Sequence, residues 1–181
     1  YEHSKKRLRE QATGDQMAEL AGLTISALER RSKYLVLRAE HEAVLVHLGM
    51  TGQLFMSDHS APWLDHEHWR LRLSSGWLRY RDPRRFGMLI RCSYAELASH
   101  PRIRVLGPEP LQASWTDEDF IAACKRSQRP IKTLIMDAAT VVGVGNIYAA
   151  EALFAAGIDP RRRASGIAPR RLRRLKHEII Q

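Results

Sequence analysis

Residues 68–80 are His68-Trp69-Arg70-Leu71-Arg72-Leu73-Ser74-Ser75-Gly76-Trp77-Leu78-Arg79-Tyr80. In the first half of this segment large apolar residues alternate with basic ones, which is the period of a β-strand with one buried and one solvated face. Ser74-Ser75-Gly76 has turn composition, and Trp77 begins a second run of strand-forming residues. The segment therefore predicts two antiparallel strands of a sheet whose one face is packed.

Short apolar runs on both sides of this segment extend the sheet. Residues 34–37 and 43–48 flank the charged turn 39–42, as expected of a hairpin, and residues 88–90 predict a further strand. Sheets of this kind bury their apolar faces against each other. The chain up to about residue 91 is therefore predicted to form a two-layer antiparallel sandwich.

The hydrophobic period becomes helical after that point. Ser93 to Glu96 has capping-box spacing and predicts the start of a short helix. Thr116 is placed to cap a helix through about Lys125, and further helices are predicted over 146–156 and 168–181. Residues 106–111 are rich in glycine and proline and read as a linker. The predicted fold class is α+β, with a sandwich over 1–105, a linker over 106–115 and an all-helical domain over 116–181.

The composition favours a polyanionic partner. The net charge is +9 and the pI is about 10.1, which is typical of nucleic-acid-binding proteins, although a merely soluble basic surface is the alternative. Arginines concentrate in residues 161–176, where a helix could present them to phosphates. No apolar run approaches the roughly 20 residues that span a bilayer, and the two cysteines form no disulfide or zinc pattern. We expect a cytoplasmic protein.

Two turns carry side chains suited to entering DNA. Met50 follows Gly49 at the end of an apolar strand, so a flexible thioether would project from a turn. Arg84 and Phe86 follow the turn at Asp82-Pro83 and would point the same way if the backbone were extended there. Taken alone, a methionine after a strand is more often part of a core. Together the two turns favour a protein that fills a gap in a duplex.

A glycine-rich run opens one of the predicted helices. Gly143-Val144-Gly145-Asn146 would offer unpaired backbone N–H groups and the positive end of a helix dipole to a phosphate. It lacks the spacing of a dinucleotide-binding or triphosphate-binding loop, and both are excluded. In His66-Glu67-His68 the two histidines, as alternate residues of a strand, would share a face, but no third ligand is evident, so no metal site is predicted.

In their order along the chain and in their amino-acid sequence, residues 47–52, 82–87 and 141–148 resemble segments of the bacterial formamidopyrimidine-DNA glycosylases. The resemblance extends over about Arg30 to Pro160. The resemblance implies base-excision repair: binding of damaged double-stranded DNA, extrusion and excision of oxidised purines (8-oxoguanine, formamidopyrimidines), and cleavage of the abasic strand by β,δ-elimination. It identifies the helical domain as a helix-two-turn-helix domain. A monomer associated with the nucleoid is expected. The sister branch for oxidised pyrimidines matches residues 82–87 less well.

The resemblance also assigns roles to residues. Met50, Arg84 and Phe86 would fill the gap left by the extruded nucleotide. The other implied DNA contacts are His47, His66, Lys132, Gly145 and Asn146, with Lys33 supporting catalysis beside the scissile sugar. Considered singly, these are ordinary residues: a lysine at a sheet edge, a solvated lysine, histidines of a packed strand end.

The family's nucleophile, an N-terminal proline followed by glutamate, is expected upstream of Tyr1, and its four-cysteine zinc module downstream of Gln181. Both domains would then be incomplete here, with no catalytic residue and no metal in this chain and zinc in the intact protein. The alternative is a truncated, noncatalytic relative that binds lesion or abasic DNA without cleavage. A general RNA-binding protein is a third, weaker possibility, since aromatic residues make up only 7% of the chain.

Overall fold

A computed structural model describes all residues from Tyr1 to Gln181. The chain forms two compact units, Tyr1–His100 and Pro101–Gln181. The division precedes the predicted boundary at 105, and the predicted linker is integrated into the second unit. There the Gly107 N–H donates to the Ala138 carbonyl at 2.7 Å and the Val142 N–H to the Pro108 carbonyl at 3.1 Å. The turn-rich composition of residues 106–111 thus indicates irregular backbone, and these hydrogen bonds fix the conformation of that backbone.

The first unit contains nine strands, one short helix and a 3-10 turn. Their bounds are β1 Glu2–His3, β2 Glu10–Gln11, α1 Gly14–Ala18, β3 Ile25–Arg31, β4 Tyr34–Ala39, β5 Glu42–His47, β6 Gln53–Ser57, β7 Glu67–Leu73, β8 Gly76–Arg81, β9 Met88–Ser93 and the 3-10 turn Leu97–Ser99. The predicted strand pairs β4–β5 and β7–β8 are confirmed, and β1, β2, β3 and β6 add to them.

The strands form two sheets, which confirms the predicted sandwich. One sheet has the order β1-β7-β8-β6 and the other β2-β9-β5-β4-β3. Neighbours are antiparallel except β2 and β9, which pair in parallel over Glu10 and Gln11. Between the sheets Trp69 and Tyr80 stack with ring centroids 5.3 Å apart, and both are completely buried. The alternation therefore placed Trp69 inside correctly, but His68, which it assigned to the solvated face, is also buried.

The predicted helix start at Ser93 is wrong. Ser93 is the last residue of β9 and pairs with Glu42, and the following Tyr94 N–H donates to the His41 carbonyl at 2.8 Å. Because the β5–β9 ladder already uses this backbone, the capping-box spacing has no free helix end to cap, and only the 3-10 turn Leu97–Ser99 follows.

The second unit is helical, as predicted. Its elements are α2 Asp117–Arg126, α3 Ile131–Ile135, α4 Asn146–Ala155, the 3-10 turn Ala164–Gly166 and α5 Pro169–Ile180. Thr116 caps α2, accepting from the Asp119 N–H, and Phe120, Leu153 and Leu172 lie in one shared core. None of the helices has the length and apolar character needed to cross a bilayer.

Candidate nucleic-acid interface

Strand register brings several of the predicted site residues to one end of the sandwich. In the five-stranded sheet Tyr34, His47 and Met88 lie side by side on β4, β5 and β9. In the other sheet Gln53 and Glu67 flank Arg81 of β8. Two turns at this end cross between the sheets: residues 48–52, the first tip, join β5 to β6, and residues 82–87, the second tip, join β8 to β9. The tips are therefore neighbours in space although they are distant in sequence.

Met50 stands at the apex of the first tip and is 70% exposed. The turn is closed by the Gly52 N–H, which donates to the Leu48 carbonyl at 2.9 Å, and Gly49 adopts a φ of 66°. A methionine held this way buries little of its thioether. Met50 is therefore not a core residue, and its side chain projects from the turn as the sequence predicted.

The second tip carries Arg84 and Phe86 on the same side. The Arg84 guanidinium carbon lies 4.8 Å from the centre of the Phe86 ring, and Phe86 is 44% exposed. The extended backbone that the prediction required is absent, because Arg85 between them adopts a left-handed φ of 57°. The guanidinium rests on the ring face as a cation–π pair, which keeps both side chains available at the surface.

Asp82 is the buried centre of this region. Its carboxylate accepts hydrogen bonds from the Thr51 hydroxyl at 2.6 Å, the Tyr80 hydroxyl at 3.2 Å, the Arg84 N–H at 3.2 Å and the Gly87 N–H at 2.9 Å. Burial acts to raise the pKa of Asp82, but these hydrogen bonds outweigh it and lower the pKa below its usual value. Asp82 is therefore a carboxylate at neutral pH.

Tyr80 belongs to the same buried cluster as Asp82. Its hydroxyl lies 3.2 Å from both the Leu48 carbonyl of the first tip and the Asp82 carboxylate of the second. A Cβ added at Gly52 or at Gly87 would overlap that hydroxyl. Burial, followed by the charge of Asp82, raises the pKa of Tyr80 above its usual value. The phenol stays protonated and fills the space between the two tips.

Lys33 and His47 lie at the same end of the five-stranded sheet. Lys33 is exposed in the turn between β3 and β4, one residue before Tyr34 rather than in a strand. His47 ends β5, accepts from the Gly49 N–H through Nδ1 at 2.9 Å and packs edge-on to Tyr34. The imidazole thus supports the first tip and is half-buried beside it.

His66 borders a polar pocket of about 270 Å³ together with Lys6 and Arg85. It adopts a left-handed φ of 63° just before β7, and its carbonyl accepts from the Asp82 N–H at 2.9 Å. The side chain is exposed. Three basic residues therefore line one polar depression beside the second tip together with Glu67, whose carboxylate is paired with Arg79. This lining suits an anion such as a phosphate.

The His66-Glu67-His68 motif does not assemble a metal site, because its members have separate partners. The Glu67 carboxylate binds Arg79, and the two ring nitrogens of His68 lie 3.1 Å from the Lys6 carbonyl and 2.8 Å from the Asp82 carbonyl. A bulge between Glu67 and Trp69 also breaks the alternation that the motif assumed. No group of three or more potential ligands occurs in the chain.

The second unit contains the other predicted contacts. Gly143 adopts a φ of 84°, and Gly145 precedes α4 in an extended conformation as its N-cap. No side chain caps this helix, its first turn has no acidic residue, and Asn146 is exposed at its first position. Lys132 is half-buried on α3. The start of α4 therefore presents N–H groups and a positive dipole end with no acidic residue in its own first turn.

Part of the positive charge of the basic helix α5 is used within the second unit. Lys176 donates to Asp117 at 3.0 Å, Arg174 donates to the Ala155 carbonyl at 2.6 Å, and Arg171 donates to the Gly157 carbonyl. The two arginines cap the C-terminal end of α4, where cations stabilise a helix. These charges therefore hold the helices together.

Thr51, Tyr80 and Gly49 were not among the residues singled out from the sequence, and Asp82 was taken only as a turn former. Their hydrogen bonds and contacts join residues about 30 positions apart, such as Thr51 and Asp82 with a separation of 31. The available signal was weak: a threonine and a glycine next to the projecting Met50.

The fold and site define a class of protein with a β-sandwich that carries two adjacent tips and a helix-two-turn-helix unit. The formamidopyrimidine-DNA glycosylase N-terminal domain matches residues 2–89, and the formamidopyrimidine-DNA glycosylase H2TH domain matches residues 106–181. The chain belongs to the formamidopyrimidine-DNA glycosylase family, which confirms the resemblance drawn from the sequence.

Individual relatives agree with this assignment. The chain is 46% identical to the formamidopyrimidine-DNA glycosylase of Stutzerimonas stutzeri over 175 residues, 96% of this chain and 64% of the relative. It is 46% identical to that of Pseudomonas aeruginosa (strain LESB58) over 176 residues, 97% of this chain and 64% of the relative. The chain thus spans 64% of the length of these curated relatives.

Solved structures show the same architecture. The Lactococcus lactis formamidopyrimidine-DNA glycosylase bound to AP-site DNA matches with a TM-score of 0.87 and 29% identity, covering 92% of this chain and 65% of that one. The same enzyme in complex with FAPY-dG DNA matches with a TM-score of 0.91 and 29% identity, covering 99% and 68%.

Proposed function

We propose that this chain is the damaged-DNA-binding part of a base-excision repair enzyme that removes oxidised purines. The observation that carries the proposal is the pair of adjacent tips with Met50 and Phe86 exposed at their ends. Met50 is 70% and Phe86 44% exposed, so both turns present apolar surface to solvent that can fill a gap between stacked bases. The Lactococcus lactis relative is described in complex with abasic and with FAPY-dG DNA, which supports the same kind of partner.

In this proposal the first unit belongs to the catalytic domain and opens the duplex. Rotating one nucleotide out of the stack costs a few kcal/mol and leaves an unpaired partner base. Met50 and Phe86 occupy the vacated space, and Arg84 leaves the Phe86 ring to hydrogen-bond the unpaired base with its planar fork. Lys33, His47 and His66 lie at the same end of the sandwich, where they contact the backbone of the lesion strand.

The second unit supplies sequence-independent contacts. The N–H groups at the start of α4 and the Asn146 amide bind phosphate oxygens, and Lys132 adds a charge. The complete protein would act as a monomer in the cytoplasm, associated with the nucleoid. Because these contacts are to the backbone, they fix the position on the duplex and carry no base preference.

The chemistry follows from the family resemblance. A secondary amine attacks the deoxyribose C1′ and loses its proton, the C1′–N bond to the damaged base breaks, and the base leaves with a proton. The C1′–O4′ bond then opens with protonation of O4′, and the resulting iminium acidifies the neighbouring sugar proton so that both flanking phosphates can be eliminated. Glutamate-assisted proton transfer accompanies these steps. None of the residues described here is assigned as that nucleophile. No potential zinc-ligand group occurs in the chain, so we derive no step through a metal.

Borohydride trapping of the full-length protein on duplex containing 8-oxoguanine tests the proposal. We expect a covalent adduct, formed faster with oxidised purines than with oxidised pyrimidines. Binding of abasic duplex without an adduct or strand nick would instead support the noncatalytic alternative. Absence of any preference for abasic over undamaged duplex would refute the proposal itself.

A further inference from the structure

We infer that Asp82, Thr51 and Gly49 lock the two tips into a single rigid wedge, so that Met50 and Phe86 enter DNA together and not independently. This inference rests on the proposed function and deepens it. It assigns positioning roles to three residues that touch neither a base nor a phosphate in the arrangement proposed above.

The first part of the lock is the Asp82 carboxylate. One of its oxygens accepts from the Thr51 hydroxyl of the first tip at 2.6 Å and from the Arg84 N–H of the second tip at 3.2 Å. The other accepts from the Gly87 N–H at 2.9 Å. Since the carboxylate is completely buried and ionised, these are charge-assisted hydrogen bonds in a site that excludes water. The first tip can leave the second only by breaking its bond to a buried charge.

The second part of the lock is direct backbone contact at Gly49. A Cβ built on Gly49 would lie 2.8 Å from the Phe86 carbonyl carbon and 2.9 Å from the Gly87 nitrogen, closer than side-chain atoms approach backbone. Gly49 also adopts a left-handed φ of 66°. The backbones of the two tips therefore touch next to Met50 and Phe86, with no room for a methyl group between them.

The lock determines how the wedge works. A flexible pair of tips would lose conformational freedom on entering the base stack, and that loss would weaken binding. Tips that are already fixed have lost this freedom on folding, so insertion of one side chain places the other. Removing either Met50 or Phe86 should then cost nearly as much abasic-site discrimination as removing both.

Thr51→Val is the cleanest test, because it removes the hydroxyl with little change in shape and leaves Asp82 in place. The measurement is the ratio of affinities of the 181-residue chain for abasic and undamaged duplex at one salt concentration, alongside the unfolding midpoint. We expect the ratio to fall about tenfold, equivalent to about 1.4 kcal/mol, with affinity for undamaged duplex unchanged. Thr51→Ser, which keeps the hydroxyl, should restore the ratio.

Two matched controls separate the lock from general effects. Thr24→Val makes the same change at an exposed threonine with no hydrogen bond to either tip. Gly49→Ala adds a methyl group between the tips, whereas Gly22→Ala imposes the same left-handed strain, at φ 84°, where nothing lies within 4 Å. We expect Gly49→Ala to lower the ratio and Gly22→Ala to leave it unchanged.

Double variants give a readout that loss of stability alone would not change. With Thr51 present, Met50→Ala and Phe86→Ala should each lower the ratio by nearly as much as the pair. With Thr51→Val, each should cost less, and the two effects should multiply. A ratio for Thr51→Val within twofold of that for Thr24→Val, or single effects that already multiply with Thr51 present, would overturn the inference. If the unmodified chain shows no abasic preference, the proposed function fails instead.

Discussion

Replacing Glu67 by glutamine should destabilise the first unit by about 3–5 kcal/mol, the usual cost of breaking a buried ion pair. The Glu67 and Arg79 side chains are 0% and 2% exposed. The Arg79 Nε donates to the carboxylate at 2.9 Å, and a second guanidinium nitrogen donates to its other oxygen. Glutamine keeps one acceptor but turns its NH2 group toward a donor, and it leaves a guanidinium charge buried without a counterion.

The surroundings of the pair place the cost within that range. Arg79 also donates to the Pro62 carbonyl and to the Ser57 hydroxyl, and these dipoles partly compensate the charge. The Leu64 N–H, however, donates to the Glu67 carboxylate at 2.9 Å, so the variant disturbs this contact as well. We therefore expect a loss near 4 kcal/mol, a large part of the roughly 5–15 kcal/mol by which domains are stable.

Urea unfolding at neutral pH measures this loss. Tryptophan fluorescence is a suitable signal because Trp63, Trp69 and Trp77, three of the four tryptophans, lie in the first unit. With a slope of about 2 kcal/mol/M, the midpoint for Glu67→Gln should fall by about 2 M.

Glu2→Gln is the matched control, since Glu2 pairs with Arg70 at 2.6 Å but is 48% exposed. An ion pair of this kind contributes about 0–1 kcal/mol, so its midpoint should fall by about 0.5 M at most. Equal midpoints for Glu67→Gln and Glu2→Gln would refute the argument from burial.

Four further results are expected. Raising salt from roughly 50 to 200 mM should weaken DNA binding by about 10³ to 10⁵ if six to ten phosphates are contacted, and a nearly flat titration would contradict a backbone-bound complex. Met50→Ala should impair lesion extrusion, measured by 2-aminopurine fluorescence, more than it weakens binding to undamaged duplex. Asn146→Ala should weaken affinity for duplex of any sequence, and equal effects of the two variants on undamaged duplex would contradict both roles. Because folding lowers the pKa of Asp82, its contribution to the free energy of unfolding should be complete above the unfolded pKa near 3.9 and should be lost as the pH falls through the lowered folded pKa. Asp82→Asn should remove this part of the decrease in urea midpoint at acid pH. An unchanged decrease would exclude Asp82 as its source. Thr116→Ala removes the acceptor for the Asp119 N–H at 3.1 Å and should cost about 1 kcal/mol by urea unfolding; an unchanged midpoint would mean that this cap contributes nothing.

Local patterns accounted for much of the architecture. The alternation in residues 68–80 was sufficient to orient Trp69 and Tyr80 toward the core, because successive side chains of a strand point to opposite faces. Thr116 marked the start of α2 because a threonine side chain can satisfy a free helix N–H. Met50 and Phe86 were recognisable only because the two turns were considered together, since each residue taken alone is more often part of a core.

Long-range pairing settled the remainder. The bond between Thr51 and Asp82, the contact of Gly49 with Phe86 and the ion pair of Glu67 with Arg79 all depend on which strands adjoin and in which register. A hydrophobic period reports which face of a strand is buried, but it says nothing about which distant turn will meet another. Which turns meet depends on how the whole sandwich packs. The lock between the tips can therefore be recognised only when both sheets are in place.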